Sequence, residues 1–192
     1  MQEPLLVGGQ PLKYNVVSCL QDKTKDKVQQ IAKTFNIPLE IAILNTKFSM
    51  NAAMVIRTSA VFGLQKVHII GPKACDMRSA VGSQHYVEIV KPGEINPETY
   101  FHDLGLIPIL VEQGGEPLED FDFKPFIRQK KTICFVMGNE TTGLSNEYLK
   151  QPFKKISISQ MGVLRSLNVQ VAASIITYEF SKQWRQVQMN KL

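Results

Sequence analysis

No apolar run in this 192-residue chain approaches the roughly 20 residues needed to cross a bilayer, and the opening MQEPLLVGGQ lacks the basic start and apolar core of a secretory leader. Cysteine is scarce: Cys19, Cys75 and Cys134 are an odd number, with no CxxC pair and no Cys/His ligand spacing. That excludes a disulfide framework and a zinc site of known spacing, so no metal is expected and a reducing compartment is implied. Together these absences lead us to expect a protein of the cytoplasm or nucleus.

Several catalytic signatures are missing as well. GxGxxG and the P-loop spacing do not occur, which removes the common nucleotide-binding folds. There is no GxSxG elbow, and none of the histidines His68, His85 and His102 sits in a motif that pairs it with a nucleophile. His68 lies in an apolar strand and reads as a core residue. Regularly spaced aromatics of the kind that stack single-stranded RNA are absent.

What is present is a regular alternation. LEIAIL (39–44), KVHIIG (66–71), VEIV (87–90), IPILVE (107–112), TICFVM (132–137) and 154–159 read as strands. Helical spacing marks 26–35, 51–62, a short turn at 78–80, 97–104 and a long carboxy-terminal segment from about Ser166 to Val187. Short β-branched runs separated by helices predict an α/β fold with a mostly parallel sheet flanked by helices, because parallel strands need crossovers and the crossovers cover both faces. The length suits one compact domain, read as an amino-terminal arm with a short helix (1–38) and a main domain (39–192). Turns follow Leu44, Glu112, Met137 and Ser159, the last three containing glycine, at the strand ends where ligands bind in such sheets.

Three segments carry polar groups at element ends. In NAAMVIRTSAVFG, Asn51 is placed to cap a helix, Arg57 lies among apolar residues and Gly63 ends the helix. VMGNETTGLS leads from a strand into a turn tipped by Asn139 and Glu140. ISISQMGVLRSLNVQVAA runs from a strand through Gly162 and Arg165-Ser166-Leu167-Asn168 into a helix with Leu167, Val171, Ser174, Ile175 and Tyr178 at helical spacing. Taken alone, the second segment also reads as an ordinary turn, and Ser166 and Asn168 as helix caps. The net charge of +5 fits a polyanionic partner without requiring one.

In this order, the three segments resemble the sequence motifs of the SpoU/TrmH branch of the SPOUT superfamily, knotted S-adenosylmethionine-dependent RNA 2′-O-ribose methyltransferases. The matching residues are Asn51, Arg57-Thr58 and Phe62-Gly63, then Gly138-Asn139-Glu140 with Gly143-Leu144, then Gly162 with Ser166-Leu167-Asn168-Val169. The resemblance implies a carboxy-terminal trefoil knot and an S-adenosyl-L-methionine pocket built around Met137, Gly138, Ile158, Met161, Gly162 and Leu167. It gives Arg57 the stabilisation of the ribose oxyanion, with Asn51, Glu140, Ser166 and Asn168 as the other catalytic groups. An arginine holds its proton tenaciously, which favours electrostatic stabilisation over general-base action.

The QMGVLRSLN form looks most like members that act on tRNA guanosines, with rRNA the next choice of substrate. A homodimer through the first-motif helix and the carboxy-terminal helix is implied, with Arg165 a group that one copy could lend the other. Arg165, Lys130, Lys131, Lys154 and Lys155 are candidate RNA contacts, although the lysines also read as solvated surface. The chain departs from the family pattern at Ala53 and Ser159, where glycine and proline are usual. The other reading is a knotted RNA-binding protein that is catalytically weak, inactive or dependent on a partner.

Overall fold

The apolar runs assemble side by side. The computed structural model describes residues 6–7, 10–11, 15–35, 37–44, 49–71, 76–139 and 142–190. A small hairpin pairs β1 (Leu6–Val7) with β2 (Gln10–Pro11), and α1 (Lys25–Ala32) follows. Then come β3 (Leu39–Leu44), α2 (Ser49–Phe62), β4 (Lys66–Ile70), β5 (Glu88–Gly93), α3 (Pro97–Asp103) and β6 (Leu106–Pro117). The chain closes with α4 (Lys124–Arg128), β7 (Thr132–Met137), α5 (Asn146–Leu149), β8 (Lys154–Ser157) and α6 (Val169–Met189). Six strands form one sheet in the order β5-β4-β3-β7-β6-β8, and every pairing in it is parallel.

Both faces of that sheet are covered, which is why its central strands read as continuous apolar runs rather than alternating ones. Ile133, Phe135 and Met137 of β7 pack with α2, α4 and α6, whereas Cys134 and Val136 face α3 and α5. Phe123, Phe135 and Phe180 form an edge-to-face cluster under α6, with ring centroids 5.4 to 6.2 Å apart. His68 is a core residue as expected, and its burial is compensated: Nε2 lies 2.7 Å from Glu40 Oε2 and Nδ1 lies 2.8 Å from the Tyr100 hydroxyl.

Several element boundaries differ from the sequence reading. The helix expected at Asn51 begins at Ser49, so Asn51 is inside it and buried rather than capping it. The carboxy-terminal helix begins at Val169, because Asn168 leaves the helical conformation (ψ 138) and accepts from the Gln170 N–H as its cap. Ser166 lies outside it. The row Leu167, Val171, Ile175 and Tyr178 is left 37% to 54% exposed, and the helix buries Val169, Ala173, Ile176, Thr177 and Phe180 instead. Helices α4 and α5 span five and four residues, too short to generate a periodic signal.

Candidate functional site

Beyond the carboxyl ends of β6 and β7 lies a cavity of about 400 Å³, and three chain segments build it. The first comes from an irregularity in β6. Its register against β8 jumps from Val111 to Glu116, both opposite Ile156, so residues 112–115 bulge from the sheet edge. Gly115 is required there, since a Cβ would sit 2.7 Å from the Ile156 backbone. The bulge puts Glu112 and Gln113 at the cavity wall.

The second segment is the turn after β7. The backbones of Asn139 and Gly143 exchange hydrogen bonds of 3.0 and 2.8 Å, which folds the chain back on itself. A Cβ on Gly138 would lie 2.4 Å from the Gly143 carbonyl carbon, so only glycine permits this closure. Glu112 locks the two segments together: Oε2 accepts from the Leu144 N–H at 3.3 Å, and Oε1 accepts from the Gln113 N–H at 3.0 Å.

The third segment, 165–168, closes the cavity. Gln113 Nε2 donates to the Arg165 carbonyl, and Arg165, Ser166 and Leu167 line the wall. Asn168 then caps α6 and donates from Nδ2 to Asn51 Oδ1 at 3.2 Å, tying the segment to α2. About two turns further along, the Thr58 and Ser174 hydroxyls meet at 3.0 Å across the same helix pair.

Of the residues singled out in the sequence, Met137, Gly138, Arg165, Ser166 and Leu167 converge on this cavity, while Asn168, between the lining residues Leu167 and Val169, is joined to Asn51. Ile158, Met161 and Gly162 do not line it. Ile158 packs against the core, Met161 is fully exposed, and nothing approaches within 4 Å of where a Gly162 Cβ would lie. Glu140 falls outside the described residues, as does Cys75. Arg57 is exposed and lines a different cavity, because six helical steps turn it well away from the face that carries Asn51.

The lysines are dispersed. Lys130 and Lys131 precede β7 at the amino edge of the sheet, about 17 Å of strand from the cavity. Lys154 and Lys155 sit on the edge strand, level with Ile109 and Leu110. Ala53 is completely buried, so its methyl fills the core and does not intrude on the cavity.

Glu112 is the wall residue that the sequence reading passed over. Its signal was present as a lone acidic side chain between an apolar strand and Gly114-Gly115. The cavity thus offers apolar surface from Met137, Leu144, Leu149, Val169 and Ala172 beside the Glu112 carboxylate and the polar residues Gln113, Asn139, Thr142, Arg165 and Ser166. That donor set suits a ligand with a flat apolar part and hydroxyl or ammonium groups.

Comparison with known proteins places this architecture. The SpoU rRNA methylase family model matches residues 38–178. The tRNA (guanosine(18)-2′-O)-methyltransferase of Escherichia coli strain K12 is 32% identical over 138 residues, covering 69% of this chain and 58% of that protein. The chain therefore spans less than two thirds of that relative's length. The crystal structure of the A. aeolicus TrmH/SpoU tRNA modifying enzyme superposes with a TM-score of 0.72 at 25% identity, covering 86% of this chain and 84% of that one. The SpoU methyltransferase AviRb of Streptomyces viridochromogenes, solved with the cofactor AdoMet, has the same fold, with a TM-score of 0.65 at 23% identity over 77% of this chain and 60% of that one. With an all-parallel six-stranded sheet and a family match over most of its length, the chain belongs to the SpoU methylase family.

Proposed function

We propose that the protein is an S-adenosyl-L-methionine-dependent RNA ribose 2′-O-methyltransferase whose substrate is a guanosine of tRNA. The observation that carries this reading is the cavity where the β6 bulge, the 138–144 turn and the 165–168 segment meet. Its apolar wall suits an adenine, and the Glu112 carboxylate suits ribose hydroxyls or an ammonium group. When bound, the cofactor supplies an electrophilic methyl group on a sulfonium sulfur.

This chain's own residues have two tasks. The first is to hold the reactants in line, since positioning alone supplies much of the acceleration of a two-body reaction. The tie between Asn51 and Asn168 fixes the loop that forms the cavity's outer wall. The second is to stabilise the 2′-oxygen as it loses its proton, and Arg57 is the cation suited to it. Arg57 does not face the cavity of its own chain. That placement supports a homodimer in which each arginine serves the partner's cavity.

The exposed apolar surface of Met161, Val163, Leu164, Val171, Ile175 and Tyr178 supports the same assembly. Glu140 and the carboxy-terminal knot belong to this proposal on the strength of the family motifs. The reading of the chain as a degenerate, inactive member loses the support of Ala53, whose methyl group is buried away from the site.

The test is calorimetric titration with S-adenosylhomocysteine, followed by transfer of labelled methyl from S-adenosylmethionine to unfractionated tRNA and to rRNA. Saturable binding and a 2′-O-methylguanosine in digested tRNA are expected. A folded sample that neither binds nor transfers overturns the proposal, and label in rRNA alone overturns the tRNA assignment.

A further inference from the structure

A second cavity, of about 490 Å³, lies between α1, α2 and the turn at 83–86, and shares no lining residue with the first. Its walls are mainly apolar, with Phe35 and Tyr86 contributing aromatic rings and Arg57 a guanidinium. No acidic side chain of the described residues lines it, and Arg57 has no ion-pair partner among them. Ser83 adds a buried hydroxyl, 7% exposed as a residue, whose Oγ has no hydrogen-bond partner among the described residues.

The cavity is held open by specific features. The Gln65 amide donates to the carbonyls of both Ala32 and Phe35, which anchors the end of α1 beside α2. Gly63 has φ +74, and a Cβ there would come within 3.2 Å of Phe35 Cβ. The glycine at the end of the first motif therefore does more than terminate α2: it lets Phe35 close one side of the cleft.

We propose that this cleft takes one nucleotide of the substrate RNA, its base between the apolar and aromatic walls and its phosphate on Arg57, next to the nucleotide being methylated. Aromatic walls suit any base face, and a guanidinium with no acidic neighbour among the described residues suits a phosphate. The inference rests on the methyltransferase reading, because it is the ribose chemistry assigned to Arg57 that brings RNA to this side of α2.

The experiment uses the full chain with unfractionated tRNA. Ultraviolet cross-linking and peptide mapping should place a nucleotide adduct on Phe35 or Tyr86. Phe35→Ala and, separately, Val61→Asp at the exposed rim should weaken tRNA binding about tenfold while S-adenosylhomocysteine affinity stays unchanged. Adducts confined to other peptides, or wild-type tRNA affinity in both variants, overturn the inference. So does a cleft whose amides are equally protected from hydrogen exchange with and without tRNA. Normal S-adenosylhomocysteine binding without a cleft adduct sinks only this inference. A cleft adduct in a protein that does not bind S-adenosylhomocysteine leaves the cleft standing and removes the methyltransferase reading.

Discussion

Asn168 Nδ2 donates to Asn51 Oδ1 across 3.2 Å, joining residues 117 positions apart. Each comes from a different motif, and neither side chain has this partner without the packing of α6 on α2. Asn168 also accepts from the Gln170 N–H at 2.8 Å, so one amide both starts a helix and fastens it to its neighbour.

These two roles separate by substitution. Asn168→Ser keeps a capping oxygen but is too short to reach Asn51, whereas Asn168→Ala loses both. Thermal unfolding should show Asn168→Ala less stable by about 1–2 kcal/mol and Asn168→Ser by about half as much. Wild-type stability in Asn168→Ser would show that the tie to Asn51 contributes nothing, and equal loss in the two variants would show the same of the cap.

Gly138→Ala should abolish the turn as built. The added Cβ falls 2.4 Å from the Gly143 carbonyl carbon, and rigid backbone cannot yield cheaply. We expect at least a tenfold loss of S-adenosylhomocysteine affinity, measured by calorimetry, together with about 1–3 kcal/mol of destabilisation. Wild-type affinity would mean that the turn is not part of the cofactor site.

Glu112→Gln retains an oxygen that can accept from the Leu144 N–H but removes the negative charge. Stability should change by less than about 1 kcal/mol, while S-adenosylhomocysteine affinity falls about tenfold. If affinity is unchanged, Glu112 is a structural clamp between two loops and not a ligand.

Arg57→Ala should leave S-adenosylhomocysteine binding intact and reduce methyl transfer by about two orders of magnitude. Mixing this variant with Gly138→Ala should restore activity that neither has alone, because a mixed dimer contains one cavity with both intact parts. Ile175→Asp, on the exposed row of α6, should yield monomers by sedimentation and no transfer.

Burial, and after it the neighbouring Cys134 and Glu40, push the Tyr100 hydroxyl from 10.0 up to about 12. Below the unfolded value the phenol is protonated in both states, and its contact with His68 contributes fully. As pH rises from 10.0 through about 12 the unfolded chain releases its proton first, so stability must fall across that window. Urea midpoints should drop in this range for the wild type and less for Tyr100→Phe, which should itself be about 1–2 kcal/mol less stable at neutral pH. A midpoint that does not respond to pH would refute the assignment.

The strands at 39–44 and 132–137 were legible from sequence because β-branched runs buried on both faces leave an unmistakable local pattern. So were the three motifs, since residue type and spacing suffice to recognise a family. The sequence by itself thus determined the fold class, the parallel sheet and the polar groups available for chemistry. It could not show that Leu167, Val171, Ile175 and Tyr178 remain exposed, because helical spacing reports a shared face and not what covers it. Tertiary structure alone decided that Glu112 reaches the cavity, that Asn51 meets Asn168, and that Arg57 faces a different cavity. The physical reason is the same in each case: these relationships join segments distant in the chain, and only the packed sheet and its helix pair set the distances between them.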